Sequence, residues 1–119
     1  MKLPTLQSFV VGAVLLALID LPWLLFIQNW ASDVIQKIQG SRPSLRYFPA
    51  ALVYLFMSYI LTFPTSYAEA FLLGSCVYGV YDATTYATLK NYDPVLAIAD
   101  TTWGGVLLST AWFIKKKYL

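Results

Sequence analysis

An apolar run of about 22 residues, from about Leu6 to Ile27, constrains the fold of this chain more than any other feature. At a rise of about 1.5 Å per residue, a helix of that length crosses the roughly 30 Å hydrocarbon core of a bilayer. The run is too long for the apolar part of a signal peptide and no clear small-residue cleavage site follows it, so we interpret it as a retained first span. The whole chain is 59% hydrophobic and 12% charged, which predicts an integral membrane protein.

Three further apolar segments follow the first one. They predict spans over about residues 48–63, 67–89 and 95–114. Pro49 fits the first turn of the second span, Pro64 ends that span, and Pro94 opens the fourth. The predicted fold is therefore all-α: an integral membrane four-helix bundle in one multi-pass domain, 1–119.

The polar segment at about 28–46 separates the first two spans. Within it Trp30, Val34 and Ile38 fall on one side of a short helix, and Gly40 is placed to stop that helix. This pattern favours a short helix lying in the membrane interface between the first and second spans. A helical continuation of the first span into solvent fits the same residues equally well.

Three aspartates lie inside the predicted spans, where a charged aspartate costs about 2.5–3.5 kcal/mol even on the lenient insertion scale. Because four spans joined by short loops alternate in direction, Asp20, Asp82 and Asp100 all fall roughly 9–12 Å inside one leaflet. All eight Lys and Arg residues lie outside the spans, so no basic side chain is available there to neutralise the acids. The three carboxyls should therefore face the bundle interior, where they would share protons or hold a cation.

Hydroxyl and aromatic side chains accompany these aspartates. Residues spaced three or four apart around Asp82 share one helix face, and Trp23 and Trp103 each follow an aspartate by three positions. The tryptophans would either wall off the site or anchor the helices at the interface, the commoner role. A structural alternative is that each aspartate simply bonds to a hydroxyl on a neighbouring helix. The predicted ligand-binding or ion-binding residues are Asp20, Asp82, Asp100, Thr85, Tyr78, Tyr86 and Trp103.

The chemistry of such a site is limited by composition. The chain has no histidine, which removes the usual imidazole acid or base and the usual ligand of zinc or haem. The single cysteine, Cys76, lies within an apolar helix and is expected to pack there. An oxygen-only site suits H⁺, Na⁺, Ca²⁺, Mg²⁺ or Mn²⁺. We predict no organic cofactor; a hard cation, if bound, would be held by Asp82 and Asp100.

The formal net charge of +2 comes from basic residues at the segment ends, which is typical of membrane flanks and predicts lipid, not nucleic acid, as the partner. Four basic residues lie on each side of the predicted bundle, and the dense triplet Lys115–Lys117 favours cytoplasmic termini. The ending Lys116–Leu119 resembles a dilysine signal for retrieval to the endoplasmic reticulum, which would apply only in a eukaryotic host. A plain charged anchor is the simpler interpretation.

The C-terminal half carries a family resemblance. Residues 81–90, YDATTYATLK, followed by the Asp100–Gly104 stretch DTTWG, resemble the patterns Y-D-x-T-N-x-A-T-L-K and D-x-x-W-G of the DUF2177 family of small predicted membrane proteins. Asp20 and Trp23 match a further D-x-x-W, and 46–54 loosely matches R-x-x-x-A-x-x-x-Y. Thr85 stands where the family usually has asparagine. The resemblance implies four spans and singles out the same aspartates, but implies no reaction.

Three classes of function fit these observations. The first is a channel or carrier in which Asp20, Asp82 and Asp100 bind and release a proton or cation; so small a bundle would then be expected to form homo-oligomers. The second is a membrane-embedded enzyme that uses an aspartate as general acid or base on a lipid or isoprenoid, for which a lipid-accessible pocket is expected. The third is a structural subunit whose aspartates face outwards to a partner. We favour the first.

Overall fold

The structure is a computed structural model that describes residues 5–41 and 46–118. Lys2 and Arg42, which entered the charge count for orientation, and Leu119 lie outside the described residues. The described chain is all-α and contains no strand, as predicted. Its four helices are α1 (Leu6–Gln39), α2 (Tyr47–Ile60), α3 (Tyr67–Thr88) and α4 (Pro94–Tyr118).

The first helix does not stop where the first span was expected to end. It begins at an N-cap in which the Thr5 side chain accepts a hydrogen bond from the Ser8 amide. It then runs for 34 residues to Gly40, whose positive φ of 81° ends it in the left-handed conformation. The separate interfacial helix is therefore wrong over residues 28–39, and the continuation of α1 is correct; residues 42–45 of that segment lie outside the described part.

The extension of α1 has a packing partner, which explains why it stays helical. Val34 is buried against Tyr92 and Leu96 at the α3–α4 turn, and Trp30 and Ile38 pack beside it. The apolar side that suggested a membrane-interface helix thus covers the protein's own turn, not lipid. Burial of such side chains provides the usual driving force for folding.

Helices α3 and α4 approach each other closely at glycines. A β-carbon on Gly74 would collide with the carbonyl oxygen of Gly104, and one on Gly104 would collide with the Tyr78 ring. At Gly105 it would meet the backbone and side chain of the facing helix. Small residues at these positions allow the two helices to approach closely; at Gly79 a β-carbon would meet the Thr101 methyl at an ordinary 3.4 Å.

The short helix α2 packs against α1. The Ser58 hydroxyl lies over Gly12 and donates to the Phe9 carbonyl oxygen at 2.7 Å. The chain after α2 is tied to α4 because the Trp112 indole donates to the Pro64 carbonyl oxygen at 3.0 Å. The main core joins three helices and consists of Leu16, Met57, Leu61, Leu107, Leu108 and Ala111.

The helices differ in how well they meet the criteria for a membrane span. Among the described residues, only α1 is both long enough and apolar enough to cross a bilayer; α2 is apolar but shorter. Helix α4 also continues past the predicted end of the fourth span at about residue 114 and through the lysines as far as Tyr118. Four helices are thus present as predicted, while length and composition mark one of them as a span.

Candidate functional site

Asp20 lies between α1, α2 and α4 and is 4% exposed. The Tyr54 hydroxyl donates to its Oδ2 at 2.6 Å. The Trp103 indole Nε1 donates to its Oδ1 at 2.7 Å. Both carboxyl oxygens therefore have a donor from another helix, which is what a buried acid requires.

Asp100 takes part in the mirror image of this arrangement. The Trp23 indole Nε1 donates to its Oδ1 at 3.3 Å. Each D-x-x-W motif thus supplies the indole that binds the aspartate of the other motif, which requires α1 and α4 to run antiparallel. The rings of Trp23 and Trp103 also stack on each other, with centroids 5.3 Å apart and planes 11° from parallel. The N–H groups of both tryptophans are thus used within the bundle, which favours the interpretation that they enclose the site over interfacial anchoring.

Asp82 on α3 differs from the other two aspartates in its bonding. Its side chain is 1% exposed, and its Oδ2 accepts a hydrogen bond from the Thr101 hydroxyl at 3.2 Å. Its Oδ1 is buried and has no hydrogen-bond partner within the described chain. The Asp82 and Asp100 carboxyls lie within hydrogen-bonding reach of each other. Two carboxylates facing each other supply only acceptors, so a proton or a cation between them would complete the arrangement.

A groove reaches this pair from one side, between α2 and α3. We call it the α2–α3 groove. Its volume is about 400 Å³, and its walls are almost wholly apolar. The residues that define it include Phe56, Ile60, Val77, Tyr78, Tyr81 and Asp100.

A second groove reaches the pair from the end of the bundle that carries the α3–α4 turn. We call it the turn groove; its volume is also about 400 Å³. The residues that define it include Asp82, Tyr86, Pro94, Ala97, Ile98 and Thr101. Each carboxyl of the Asp82–Asp100 pair therefore lines a different groove.

The remaining predicted site residues are distributed unevenly. Tyr78 packs between Gly104 and the α2–α3 groove, close to the aspartates. Tyr86 is exposed at the rim of the turn groove. The Thr85 hydroxyl donates to the Tyr81 carbonyl oxygen of its own helix at 2.8 Å, so the structure does not bring it to the carboxyls; Thr101 supplies that hydroxyl instead.

Three residues of the site were missing from the predicted set. Thr101 donates to Asp82, Tyr54 to Asp20 and Trp23 to Asp100. Trp23 and Tyr54 had a signal in the sequence: Trp23 completes the first D-x-x-W motif, and Tyr54 is the tyrosine that ends the loose R-x-x-x-A-x-x-x-Y match. The motif spacing marked these residues, but it did not show which aspartate each would meet.

The donor set limits how a metal ion could be held. Within the described residues, no three His, Cys, Asp or Glu side chains converge on one point. Both oxygens of Asp20 already have donors, from Tyr54 and Trp103. A hard cation at Asp82 and Asp100 would need its other ligands from hydroxyls, carbonyls or water.

The Asp93 carboxyl binds the extension of α1 through a hydrogen bond. The Trp30 indole donates to Asp93 Oδ2 at 2.9 Å, and Asp93 Oδ1 accepts from the Val95 amide at 2.9 Å. The Trp30 bond, followed by the amide bonds and the nearby Lys37 charge, holds the pKa of Asp93 below its ordinary value. The Trp30–Asp93 hydrogen bond therefore connects α1 to the α3–α4 turn.

Comparison with known proteins identifies a family for this chain. A family model described as "Predicted membrane protein (DUF2177)" matches residues 5–114. No curated protein and no solved structure matches the chain. The match spans α1 to α4 and includes both D-x-x-W motifs and the Asp82 segment, which confirms the resemblance predicted from the sequence. The chain therefore belongs to the DUF2177 family of predicted membrane proteins.

Proposed function

We propose that this membrane protein transports a proton or cation and that the Asp82–Asp100 pair is the site that binds and releases it. One observation carries the proposal: the buried Asp82 Oδ1 has no donor in the described chain, and the Asp82 carboxyl lies within hydrogen-bonding reach of the Asp100 carboxyl. A single proton on either aspartate would form an O–H···O bond between them and leave one negative charge in place of two. A pair that gains and loses this proton is a proton-binding site below the bilayer surface.

The two grooves provide a route to and from the pair. A proton arriving through the α2–α3 groove would reach Asp100, which lines that groove. Asp82 would then release a proton into the turn groove, which it lines. The pair keeps the same number of protons over the cycle, so one proton enters on one side for each that leaves on the other.

We further propose that α3 and α4 also lie within the bilayer, which makes the protein multi-pass. Large apolar side chains point outwards from both helices, where a water-soluble protein would rarely expose so many. Their inward faces carry Asp82, Asp100 and Thr101, and these polar residues lower the overall apolarity of the two helices. The outward-facing residues are Leu72, Val80, Val95, Ile98, Val106 and Phe113.

Two other functions were open from the sequence. A structural subunit was expected to turn its aspartates outwards, whereas Asp20 and Asp82 are buried inside this chain. A membrane-embedded enzyme acting on a lipid or isoprenoid remains the second candidate, because the apolar α2–α3 groove is the kind of pocket that it would need. Asp100 would then be its general acid or base.

The test is proton and cation flux into liposomes that contain the purified protein and a trapped pH-sensitive or ion-sensitive dye. Asp82→Asn and Asp100→Asn should each reduce the flux to the background of empty liposomes. Glu69→Gln is the matched control, because it removes an exposed acid in the first turn of the same helix α3. It should conduct like the unaltered protein.

Two outcomes would contradict the proposal. Absence of flux for H⁺, Na⁺, K⁺ and Mg²⁺ in a folded, inserted protein would refute transport and favour the enzyme. Unchanged flux in both asparagine variants would show that the pair is not the site.

Insertion is checked with Cys76, which is exposed on the outer side of α3. In a multi-pass protein, lipid should protect this thiol from a water-soluble maleimide until detergent unfolds the chain.

A further inference from the structure

We propose that the α2–α3 groove binds a hydrophobic organic cation, an amine or quaternary ammonium compound, in competition with the proton of the Asp82–Asp100 pair. This inference rests on the proposed proton-binding role of the pair and adds the class of substrate. The protein would then exchange protons for organic cations.

The walls of the groove have the chemistry that recognises such a cation. Phe56, Tyr78 and Tyr81 contribute aromatic rings, and Asp100 is the acid among the residues that define the groove. Aromatic faces attract ammonium groups through the ring quadrupole, which is how quaternary ammonium ligands are commonly held. The apolar walls would accommodate the rest of the molecule.

The charge along the groove also favours an organic cation. No lysine or arginine is among the residues that the structure places along it. Without a shared proton the two carboxyls would carry two negative charges, and the buried Asp82 Oδ1 has no donor in the described chain to offset them. An anionic headgroup would be repelled there, and an uncharged lipid chain could not take the place of the proton. A cation can, because its charge offsets one carboxylate as the proton does.

The groove is open to a ligand arriving from the bilayer. Its outer edge is formed by Val53 and Phe56 on α2 and Tyr81 on α3, whose side chains are about half exposed or more. Its volume of about 400 Å³ lies at the lower end of the roughly 300–1,000 Å³ typical of small-molecule pockets. This size suits one compact ligand and not a two-chain phospholipid.

Competition at the pair links the two ions. A quaternary ammonium group has no proton to donate or accept, so its charge can replace the shared proton but cannot combine with it. The expelled proton would leave through Asp82 and the turn groove. Because linkage is reciprocal, proton binding must weaken cation binding by the same factor by which the cation weakens proton binding.

The experiment is calorimetric titration of the full-length protein, in a non-ionic detergent, with benzyltrimethylammonium. Buffers with different ionisation enthalpies report how many protons are released for each cation bound. Neopentylbenzene, the uncharged carbon analogue, measures what the apolar walls contribute alone. Tyr81→Leu removes one ring from the groove, and Tyr67→Leu removes an exposed ring from the same helix outside it.

We expect release of one proton per cation, and affinity that rises about tenfold per pH unit while the pair is protonated. Asp100→Asn should abolish binding. Tyr81→Leu should weaken it about fivefold, the size of one exposed cation–π contact, whereas Tyr67→Leu should leave it unchanged. Tyr81 is largely exposed, so its variant tests the groove even if Asp100→Asn does not fold.

Equal binding of the uncharged analogue would overturn the inference, and so would pH-independent binding without proton release. The test separates this inference from the proposed function. Proton flux without ammonium binding would refute only the inference, whereas absence of both would refute the transport proposal as well.

Discussion

Replacing Tyr54 by phenylalanine removes one hydroxyl from the bundle and little else. That hydroxyl donates to Asp20 Oδ2 at 2.6 Å, and Asp20 is 4% exposed, so water cannot easily take its place. The other donor to this carboxyl, the Trp103 indole, is already bound to Oδ1. The Tyr54→Phe variant therefore leaves one buried carboxyl oxygen without a donor from the described chain.

The magnitude follows from what such bonds contribute. A hydrogen bond to a charged group contributes about 1.5–3 kcal/mol in soluble proteins. Side-chain hydrogen bonds within membrane proteins average about 0.6 kcal/mol and reach about 1.7 kcal/mol. The short distance and the burial of Asp20 place this bond near the upper membrane value. We expect Tyr54→Phe to lower the free energy of unfolding by about 1.5 kcal/mol.

The assay is reversible unfolding in mixed micelles of a non-ionic detergent and dodecyl sulfate, followed by circular dichroism. Tyr59→Phe is the matched control, because Tyr59 lies on the same helix and, within the described part of the chain, the hydrogen bond from this helix to an acid comes from Tyr54. This control should stay within about 0.5 kcal/mol of the unaltered protein. Equal losses in the two variants would refute the reasoning, since the Asp20 bond would then contribute nothing specific.

Two further predictions concern the α3–α4 contact and the α1 extension. Gly74→Ala should lower the free energy of unfolding by about 1–3 kcal/mol, because its new methyl collides with the Gly104 backbone; Gly79→Ala, measured in the same micelles, should cost nothing, and equal effects would contradict the close approach. The pKa of Asp93 is lower in the folded protein than its ordinary value of 3.8, so this carboxylate stabilises the fold at pH values above 3.8. This contribution should disappear as the pH falls through the lower folded-state pKa. The Trp30→Phe variant lacks the hydrogen bond that is the main cause of the lowered pKa. Its free energy of unfolding should therefore fall less than that of the unaltered protein between about pH 5 and pH 2.

Much of the fold could be predicted because its signals are local. Helix ends depend on nearby residues: Ser66 caps α3 by accepting from the Glu69 amide, and Pro94 opens α4 as expected. The burial of Asp20 and Asp82 also followed from the sequence, because the cost of a charged residue depends on the length and polarity of its own segment. That cost is why these two residues and Asp100 were expected to face inwards.

The partners of those aspartates depended on the tertiary structure. Thr85 and Thr101 both carry a hydroxyl near the aspartates in sequence, and only the rotation of each helix about its axis decided that Thr101 meets Asp82.

The sequence by itself determined four helices, the approximate residue at which each begins and three acids expected to be enclosed, since apolar runs, caps and prolines act within a few residues. Only the tertiary structure decided the rest. Each D-x-x-W motif can donate its indole to the aspartate of the other only because α1 and α4 are antiparallel and in the right register. The extension of α1 stays helical because its apolar side packs against Tyr92 at the α3–α4 turn. Both depend on contacts between residues more than 50 positions apart, which no local pattern encodes.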